Sequence, residues 1–428
     1  MVGTHSSRHV PPPAPAGTSP TVAVVGSGPS GCYVAQFLSK TWPDSEITVF
    51  ESLPAPYGLI RYGVAADHQG TKGVVRQFDR LFTRGGIRFA GNVTVGRDLE
   101  FARLAASFDV VVLATGLPGD RELDVPRDPR ARVVGAGALL RALNGFPRHG
   151  LPRDGTGRCA PLGSRVVVVG MGNVALDVLR LLSKDTEAFT GSDIDDDLLG
   201  QLRPAPPADL DVIARSGASD AKCDAAMLRE LIALDTVDIA ASGLRDGDDG
   251  PIAGLLREPA RRSPARTRVT FHFGLQPRSV ITRSGRTLLT AQRRDDGTPV
   301  EFAADTVVTA IGFTHGAAHD DGCPGPDWAG DHVYRVGWLS RGAQGTIAQN
   351  RKHAQQVVSA IVGDFEAGRI HAAKPGFAGV ADLLAHRVVG FGDWQRIEAA
   401  ERSRARPGRC RRKITDLDQM LALATGAR

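Results

Sequence analysis

Cysteine is scarce and scattered in this sequence. The chain of 428 residues has five, far apart and without a CxxC pair: Cys32, Cys159, Cys223, Cys323 and Cys410. That spacing argues against a disulfide scaffold, a zinc site and a redox-active dithiol. We therefore predict no metal centre and a protein suited to the reducing cytoplasm.

Long apolar runs are missing as well. No run approaches the ~20 residues that a membrane-spanning helix requires, and the first segment lacks the hydrophobic stretch of a signal peptide. Residues 1–20 are rich in Pro, Ser and Gly and predict a disordered leader, because they have almost nothing to bury. The remaining length is enough for two or three domains, and no membrane contact is expected.

Acidic residues are outnumbered, so the formal net charge is +5. The excess comes from arginine and suits an acidic partner. Aromatic residues make up only 6% of the chain, and they are not interleaved with the arginines as on a nucleic-acid-binding surface. We therefore expect no nucleic acid as partner.

A short β-branched run at residues 21–25 leads directly into a glycine-rich turn, Gly26-Ser27-Gly28-Pro29-Ser30-Gly31, and then into an apolar-periodic stretch. This order predicts a strand, a tight turn and a helix whose N-terminus binds a pyrophosphate. The next predicted strand ends in Glu51, 20 residues after Gly31, where an acid accepts ribose hydroxyls. The alternative is a glycine-rich turn without a ligand.

A second turn of the same kind follows a buried-strand pattern at residues 164–169. It reads Gly170-Met171-Gly172-Asn173-Val174-Ala175, and the fingerprint allows alanine at its third small position. The following strand pattern ends in Arg215 instead of a carboxylate, and an arginine there can neutralise the 2′-phosphate of NADP. The sequence favours NADPH over NADH, although Arg215 could also be an ordinary exposed loop residue.

Two dinucleotide folds without a CxxC pair indicate that one nucleotide reduces the other. A flavin in the first fold and a nicotinamide in the second is the common arrangement, and the protein then fixes the geometry of hydride transfer. The fold class we predict is α/β, with two Rossmann-like dinucleotide-binding domains.

Four separated strings extend this interpretation: GSGPSG, PYGLIRYGVAADHQGTK, GMGNVALD and VGWLSRGAQGTIAQNRKH. In this order they resemble the adrenodoxin reductase family, the NADPH:ferredoxin reductases of mitochondria and actinobacteria. The likeness runs from about residue 21 to the C-terminus. It implies an NADP domain inserted into a discontinuous FAD domain, with FAD parts at residues 21–116 and 311–428 and the NADP domain at 117–310.

The resemblance also implies functional residues. Its FAD site comprises Gly26, Ser27, Gly28, Pro29, Gly31, Glu51, Leu59, Ala114, Thr115, Gly116, Trp338, Gly345, Thr346 and Ile347, with Trp338 and the Gly345–Thr346–Ile347 turn beside the isoalloxazine ring. Its NADP site comprises Gly170, Gly172, Asn173, Val174, Ala175 and Arg215. His68 is expected close to the flavin as the catalytic residue that tunes it or relays protons. A core tryptophan and a structural histidine are the plainer interpretations of Trp338 and His68.

The NADP half departs from the family pattern at two positions. Ala214 stands where the family usually has the first of two paired arginines. Met227 stands where the family has a glutamate near the nicotinamide, and methionine cannot hold a carboxamide. We therefore expect weaker coenzyme discrimination and less efficient reduction of the flavin.

The family's electron acceptor is a small acidic ferredoxin, which here would feed a cytochrome P450 or a similar enzyme. A basic segment in the NADP domain could steer such a partner by long-range attraction, or form an ordinary solvated loop. It contains Arg257, Arg261, Arg262, Arg266 and Arg268. The predicted function is an FAD-dependent NADPH:ferredoxin oxidoreductase. A flavin oxidase or monooxygenase, and an FAD-binding protein with weakened NADPH chemistry, are the alternatives.

Overall fold

A computed structural model describes residues 19–257, 265–315, 328–384 and 388–426. Most of the predicted leader, together with Arg261, Arg262 and Cys323, lies outside these residues. The strands are β1 Val22–Val25, β2 Ile47–Phe50, β3 Arg88–Ala90, β4 Val110–Leu113, β5 Gly119–Asp120, β6 Val133–Gly135, β7 Arg165–Val169, β8 Asp209–Ile213, β9 Val237–Ser242, β10 Thr267–His272, β11 Leu275–Arg283, β12 Arg286–Arg293, β13 Pro299–Ala304, β14 Thr306–Thr309, β15 Phe313–Thr314 and β16 Val333–Arg335.

The helices lie between these strands and after the last of them. They are α1 Pro29–Thr41, α2 Gly58–Tyr62, α3 Gln69–Lys72, α4 Val75–Arg84, α5 Phe101–Ser107, α6 Ala136–Leu143, α7 Asn173–Ser183, α8 Asp196–Leu202, α9 Ala225–Ile232, α10 Pro251–Arg257, α11 Trp338–Arg341, α12 Ile347–Glu366, α13 Ala381–Leu384, α14 Phe391–Ser403 and α15 Leu417–Thr425. Short 3-10 turns occur at Thr186–Phe189, Ala218–Asp220 and Gly376–Gly379.

The first sheet is parallel and has the strand order β16-β4-β1-β2-β3. Strand β1 is buried along its whole length, as expected of a parallel strand covered on both faces. Its side chains alternate between two cores: Val22 and Val24 pack on one face, and Ala23 and Val25 on the other. The edge strand β16 comes from the C-terminal part of the chain, so this domain is built from two separate segments.

The second sheet is also parallel and has the order β6-β14-β7-β8-β10-β9. One of its faces packs on helices that include α7 and α9. The other face packs on a small antiparallel sheet of β11, β12 and β13. The predicted fold class is therefore confirmed: two parallel α/β sheets, the second formed by chain between the two parts of the first. The boundaries at residues 116 and 310 stay a prediction.

A two-stranded antiparallel ribbon connects the two domains. Strand β5 lies on the outgoing connection and β15 on the returning one, and they pair through Phe313 with Asp120 and Thr314 with Gly119. The two connections between the domains are therefore held side by side.

A buried ionic junction also joins the domains. The Asp193 carboxylate lies 2.8 Å from the ammonium groups of both Lys72 and Lys413, which belong to the two separate parts of the FAD domain. Burial by itself would raise the pKa of Asp193, but the attraction of the two lysines outweighs it and holds the pKa below its ordinary value. One buried carboxylate thus binds two chain segments to the second domain.

The acidic loop at residues 191–200 surrounds this junction. Asp196 pairs with Arg409 at 2.8 Å, and Asp197 pairs with Arg406 at 2.6 Å and with Arg412 at 2.8 Å. The loop therefore binds the C-terminal segment RPGRCRRK to the second domain, a role that the sequence by itself did not indicate.

Candidate active site

The first glycine turn follows β1, and two of its glycines are required by packing. Gly26 has a φ of +107°, and a Cβ there would lie 2.5 Å from the carbonyl oxygen of Ala114. A Cβ on Gly31 would overlap the carbonyl oxygen of Gly26. Gly28 differs, because a Cβ there would meet no atom of the described residues within 4 Å. The backbone at Gly28 is thus open to a ligand at the N-terminus of α1.

The predicted ribose acid, Glu51, is held beside this turn. One carboxylate oxygen accepts hydrogen bonds from the Ser27 hydroxyl at 2.5 Å and the Ser27 N–H at 3.1 Å. The other accepts from the Ser52 hydroxyl and the Leu53 N–H. Glu51 therefore has a fixed position before any ribose binds, which lowers the entropy cost of binding.

One cleft collects most of the predicted FAD residues. It is lined by Gly26, Gly28, Pro29, Glu51, Leu59, Ala114, Thr115, Gly116 and Trp338. Ser27 is fully buried and Gly31 is buried within α1. Arg141 and Phe146, from the part of the chain predicted to form the NADP domain, also line this cleft. The cleft therefore lies where the two domains meet.

Two polar side-chain atoms at this cleft are buried and have no hydrogen-bond partner among the described residues. They are the hydroxyl of Thr115 and the indole N–H of Trp338. A buried polar group without a partner costs about 1–3 kcal/mol, so two in one cleft indicate a place for a polar ligand. Together with the open backbone at Gly28, they fit a dinucleotide with a polar ring system such as FAD.

The predicted flavin turn at Gly345, Thr346 and Ile347 begins helix α12. Gly345 has a φ of +95°, and Thr346 caps the helix while the Gln349 side chain accepts the Thr346 N–H at 2.9 Å. The cleft is lined by a later residue of this helix, Asn350, whose side chain accepts a hydrogen bond from Arg341 at 2.7 Å.

The second glycine turn repeats the geometry of the first. Gly170 has a φ of +117°, and a Cβ there would overlap the carbonyl oxygen of Ala310. Within the part of the chain that the structure describes, a Cβ on Gly172 would meet no atom within 4 Å. Ala175, in the first turn of α7, is fully buried. Each sheet thus presents one open glycine at the start of a helix.

The other predicted NADP residues lie around this turn. Val174 is partly buried against the domain core. Asn173 begins α7, and its side-chain oxygen accepts the Asp224 N–H at 2.7 Å. Arg215 follows β8 and is exposed. Met227, at the family's glutamate position, packs against the core of this domain, so it supplies no polar group there.

His68 lies between the two domains. Its Nε2 is 3.0 Å from a carboxylate oxygen of Glu230, and its Nδ1 is 3.8 Å from Asp177. The preceding Asp67 pairs with Arg180 and with Lys184. His68 therefore contacts acidic groups on α7 and α9, helices of the second domain.

Several cleft residues were missed by sequence reasoning. They include Tyr62, Arg141, Phe146, His315 and Asn350. Tyr62 and Asn350 lie inside strings that carried the family resemblance, which was the available signal. Arg141 is brought to the cleft by the packing of the domains, for which the sequence has no local signal.

Comparisons with known proteins agree with this geometry. A family model for an NAD(P)-binding Rossmann-like domain matches residues 24–82. The cindoxin reductase of Citrobacter braakii is 41% identical over 423 residues, covering 95% of this chain and 91% of that protein. The NADPH-ferredoxin reductase FprA of Mycobacterium tuberculosis is 31% identical over 456 residues, covering 95% and 99%.

A solved structure, Mycobacterium tuberculosis FprA in complex with NADPH, superposes with a TM-score of 0.83 at 30% identity and covers 95% of this chain and 100% of that one. The chain belongs to the NADPH:ferredoxin reductases of the adrenodoxin reductase type, which are FAD-dependent oxidoreductases. Among the described residues, no helix has the length and apolar character to cross a bilayer.

Proposed function

We propose that this chain oxidises NADPH and passes the electrons through FAD to a ferredoxin-type iron–sulfur protein. The observation that carries the proposal is the pair of matching glycine turns. One of them opens on the interdomain cleft, where two polar atoms have no partner among the described residues. A fold with two such turns has a place for both nucleotides.

The residues of the first domain have defined tasks in this proposal. Glu51 would bind the adenosine ribose, Gly28 would let the backbone approach the pyrophosphate, and Thr115, Tyr62 and Trp338 would meet the ring system. A bound flavin supplies the capacity to accept a hydride and release single electrons. His68, which contacts Glu230 and Asp177, would help to position the second domain against the first.

The acceptor would be an acidic ferredoxin that serves a cytochrome P450 or a similar enzyme. Arg268 is exposed on β10. Nearby, Arg257 donates to the Asp248 carbonyl at 2.6 Å and Arg266 pairs with Asp185 at 2.6 Å. Arg266 is therefore neutralised, and the exposed Arg268 supports a positive docking face. The cysteines Cys32, Cys159, Cys223 and Cys410, which are free among the described residues, support a cytoplasmic location.

The proposal is tested by anaerobic titration of the flavin-loaded protein with NADPH and, separately, with NADH. Loss of the visible flavin absorbance at much lower NADPH than NADH is the expected result. Rapid peroxide formation during turnover in air, together with failure to reduce any of several ferredoxins, would favour an oxidase instead.

Electron transfer to an acidic ferredoxin should slow as salt increases, because the Debye length falls from about 10 Å at 0.1 M to about 3 Å at 1 M. The measurement is the rate of ferredoxin reduction at several ionic strengths. Reduction of an uncharged dye by the same protein is the control, because its rate should not depend on salt. An unchanged rate across several ferredoxins would contradict charged docking.

A second candidate function is an FAD-binding protein with weakened NADPH chemistry. Met227 favours it, because the thioether packs against the domain core and supplies no carboxylate at this position. A protein that keeps its FAD but is bleached by neither coenzyme in the same titration would support this alternative.

A further inference from the structure

The loop after β8, which carries Arg215, is covered by a second arginine from a distant part of the chain. Arg294 follows β12, and its guanidinium donates to the carbonyl oxygen of Arg215 at 3.4 Å. The two residues are 79 positions apart. The small antiparallel sheet therefore brings a second cation to the place where a Rossmann fold recognises the ribose of its nucleotide.

Backbone hydrogen bonds fix this arrangement. The Leu275 N–H donates to the Ala214 carbonyl at 3.0 Å, and the Arg294 N–H donates to the Gly274 carbonyl at 2.9 Å. The start of β11 thus contacts both the loop of Arg215 and the residue Arg294. The main chain therefore holds Arg294 beside the backbone of Arg215.

Neither guanidinium is neutralised within the described parts of the chain. Arg215 and Arg294 are both exposed, and among the described residues the Arg294 side chain bonds only to the Arg215 carbonyl. The acidic residues that follow are engaged in their own turn: Asp295 accepts the Asp296 N–H, and Asp296 accepts the Thr298 N–H. Both cations therefore remain available to an anion such as a phosphate, which arginine binds through charge-assisted hydrogen bonds.

We propose that Arg294 is a specificity-determining residue that binds the 2′-phosphate of NADPH together with Arg215. This inference rests on the proposed function, and it supplies a second arginine for the phosphate although Ala214 occupies the position of the family's first. Arg294, which follows β12, would supply the second arginine that the loop after β8 lacks.

The test measures binding of 2′,5′-ADP and of 5′-AMP to the flavin-loaded protein by calorimetry, for the wild type and Arg294→Ala. These probes differ in the 2′-phosphate and need no catalysis. We expect the variant to lose about tenfold in affinity for 2′,5′-ADP, the equivalent of one charge-assisted bond, and to bind 5′-AMP as before. Arg294→Lys should lose less, since it keeps the charge.

Arg286→Ala is the matched control. Arg286 is exposed at the opposite end of β12, about 25 Å away at ~3.3 Å per residue, so its loss should change neither affinity. Unchanged 2′,5′-ADP binding in Arg294→Ala, or equal losses for both probes, would overturn the inference. Failure of NADPH to bleach the wild-type flavin would instead overturn the proposed function, so the two failures are distinguishable.

Discussion

At the scale of single residues, coenzyme choice depends on which side chains meet the ribose. Arg215 stands at the end of β8 and is exposed, whereas a carboxylate in this place would repel a 2′-phosphate. Its value as a phosphate contact comes from charge-assisted hydrogen bonds, which are stronger than neutral ones. Discrimination between NADPH and NADH should therefore be sensitive to this one side chain.

Replacing Arg215 by Ala should weaken NADPH binding by on the order of 1–3 kcal/mol and leave NADH nearly unchanged. Flavin bleaching at graded concentrations of each coenzyme measures both affinities. Equal losses for the two coenzymes would show that Arg215 does not contact the phosphate.

Single residues were predictable from the sequence where the motif is local. The turn glycines and Glu51 lie at fixed spacings from one another, so their neighbourhood follows from a strand, a turn and a helix. Arg294 and Phe146 carry no such spacing. They reach their sites through contacts between segments far apart in the chain, and those contacts depend on the whole packing.

At the scale of elements, each glycine turn combines positions that serve the fold with one that serves the ligand. Gly31 lies where α1 crosses closest to the turn, and a Cβ there has no room. Gly28 has a φ of −65° and open space around it, so alanine fits its backbone. The two substitutions should therefore have different consequences.

Gly31→Ala should destabilise the first domain by about 1–3 kcal/mol or more, because overpacking forces the helix away from the strand. Gly28→Ala should leave the free energy of unfolding of the flavin-free protein nearly unchanged but reduce the bound flavin. Urea unfolding and the ratio of flavin to protein absorbance separate the two effects. Full flavin content in Gly28→Ala would contradict close approach of the pyrophosphate.

The second turn gives a matched pair in the other domain. Gly172→Ala should keep both the fold and the flavin, because its Cβ would meet no protein atom within 4 Å, and should weaken only the binding of NADPH. Calorimetric titration with NADP⁺ measures this. Loss of flavin in Gly172→Ala would mean that the two turns do not act independently.

Strands were predictable where a run of apolar residues continues without interruption. The runs VAVV and VVVL are buried throughout and form strands β1 and β4. The β11 strand is harder to recognise, because Pro277 interrupts it and the pairing shifts by a bulge between Pro277 and Ser279. The small sheet that positions Arg294 therefore had no clear signal in the sequence.

At the scale of the whole molecule, the ionic junction around Asp193 joins three parts of the chain. It contains one carboxylate and two ammonium groups, all nearly buried. Burial lowers the pKa of Lys413 well below its ordinary value, and the positive charge of Lys72 lowers it further. The attraction of Asp193 acts in the opposite direction but is not strong enough to compensate. The junction thus has a surplus positive charge, and its members should respond unequally to substitution.

Asp193→Asn should cost about 3–5 kcal/mol of unfolding free energy, because it leaves two buried cations without a counter-charge. Lys413→Met should be close to neutral, since the Lys72–Asp193 pair remains. Urea denaturation followed by the fluorescence of the buried Trp394 measures both variants. Equal losses would show that the junction does not depend on charge balance.

The junction also predicts a dependence on pH. The pKa of Asp193 is lower in the folded protein than the ~3.9 of an unfolded chain because of the two lysines. Its contribution is therefore fully present above about pH 4 and is lost as the pH falls below that value. Asp193→Asn should flatten the acid limb of the stability curve measured between pH 5 and 2.

The family resemblance implied the domain insertion, but it did not imply the contacts between the domains. The sequence strings predicted which segments form each sheet. The pairing of residues 191–200 with the C-terminal arginines was not predicted, because exposed acidic and basic segments have many possible partners and only the folded arrangement selects among them.

The ribbon of β5 and β15 has a mechanical consequence. Gly26 and Gly170 face the carbonyl oxygens of Ala114 and Ala310, the residues after which the chain leaves each sheet, and the ribbon begins within a few positions of both. A rotation of one domain about the ribbon would have its axis beside both turns. Phosphate groups bound there would stay close to the rotation axis, so they would move little. The far ends of the nucleotides, which carry the reactive rings, would move the most.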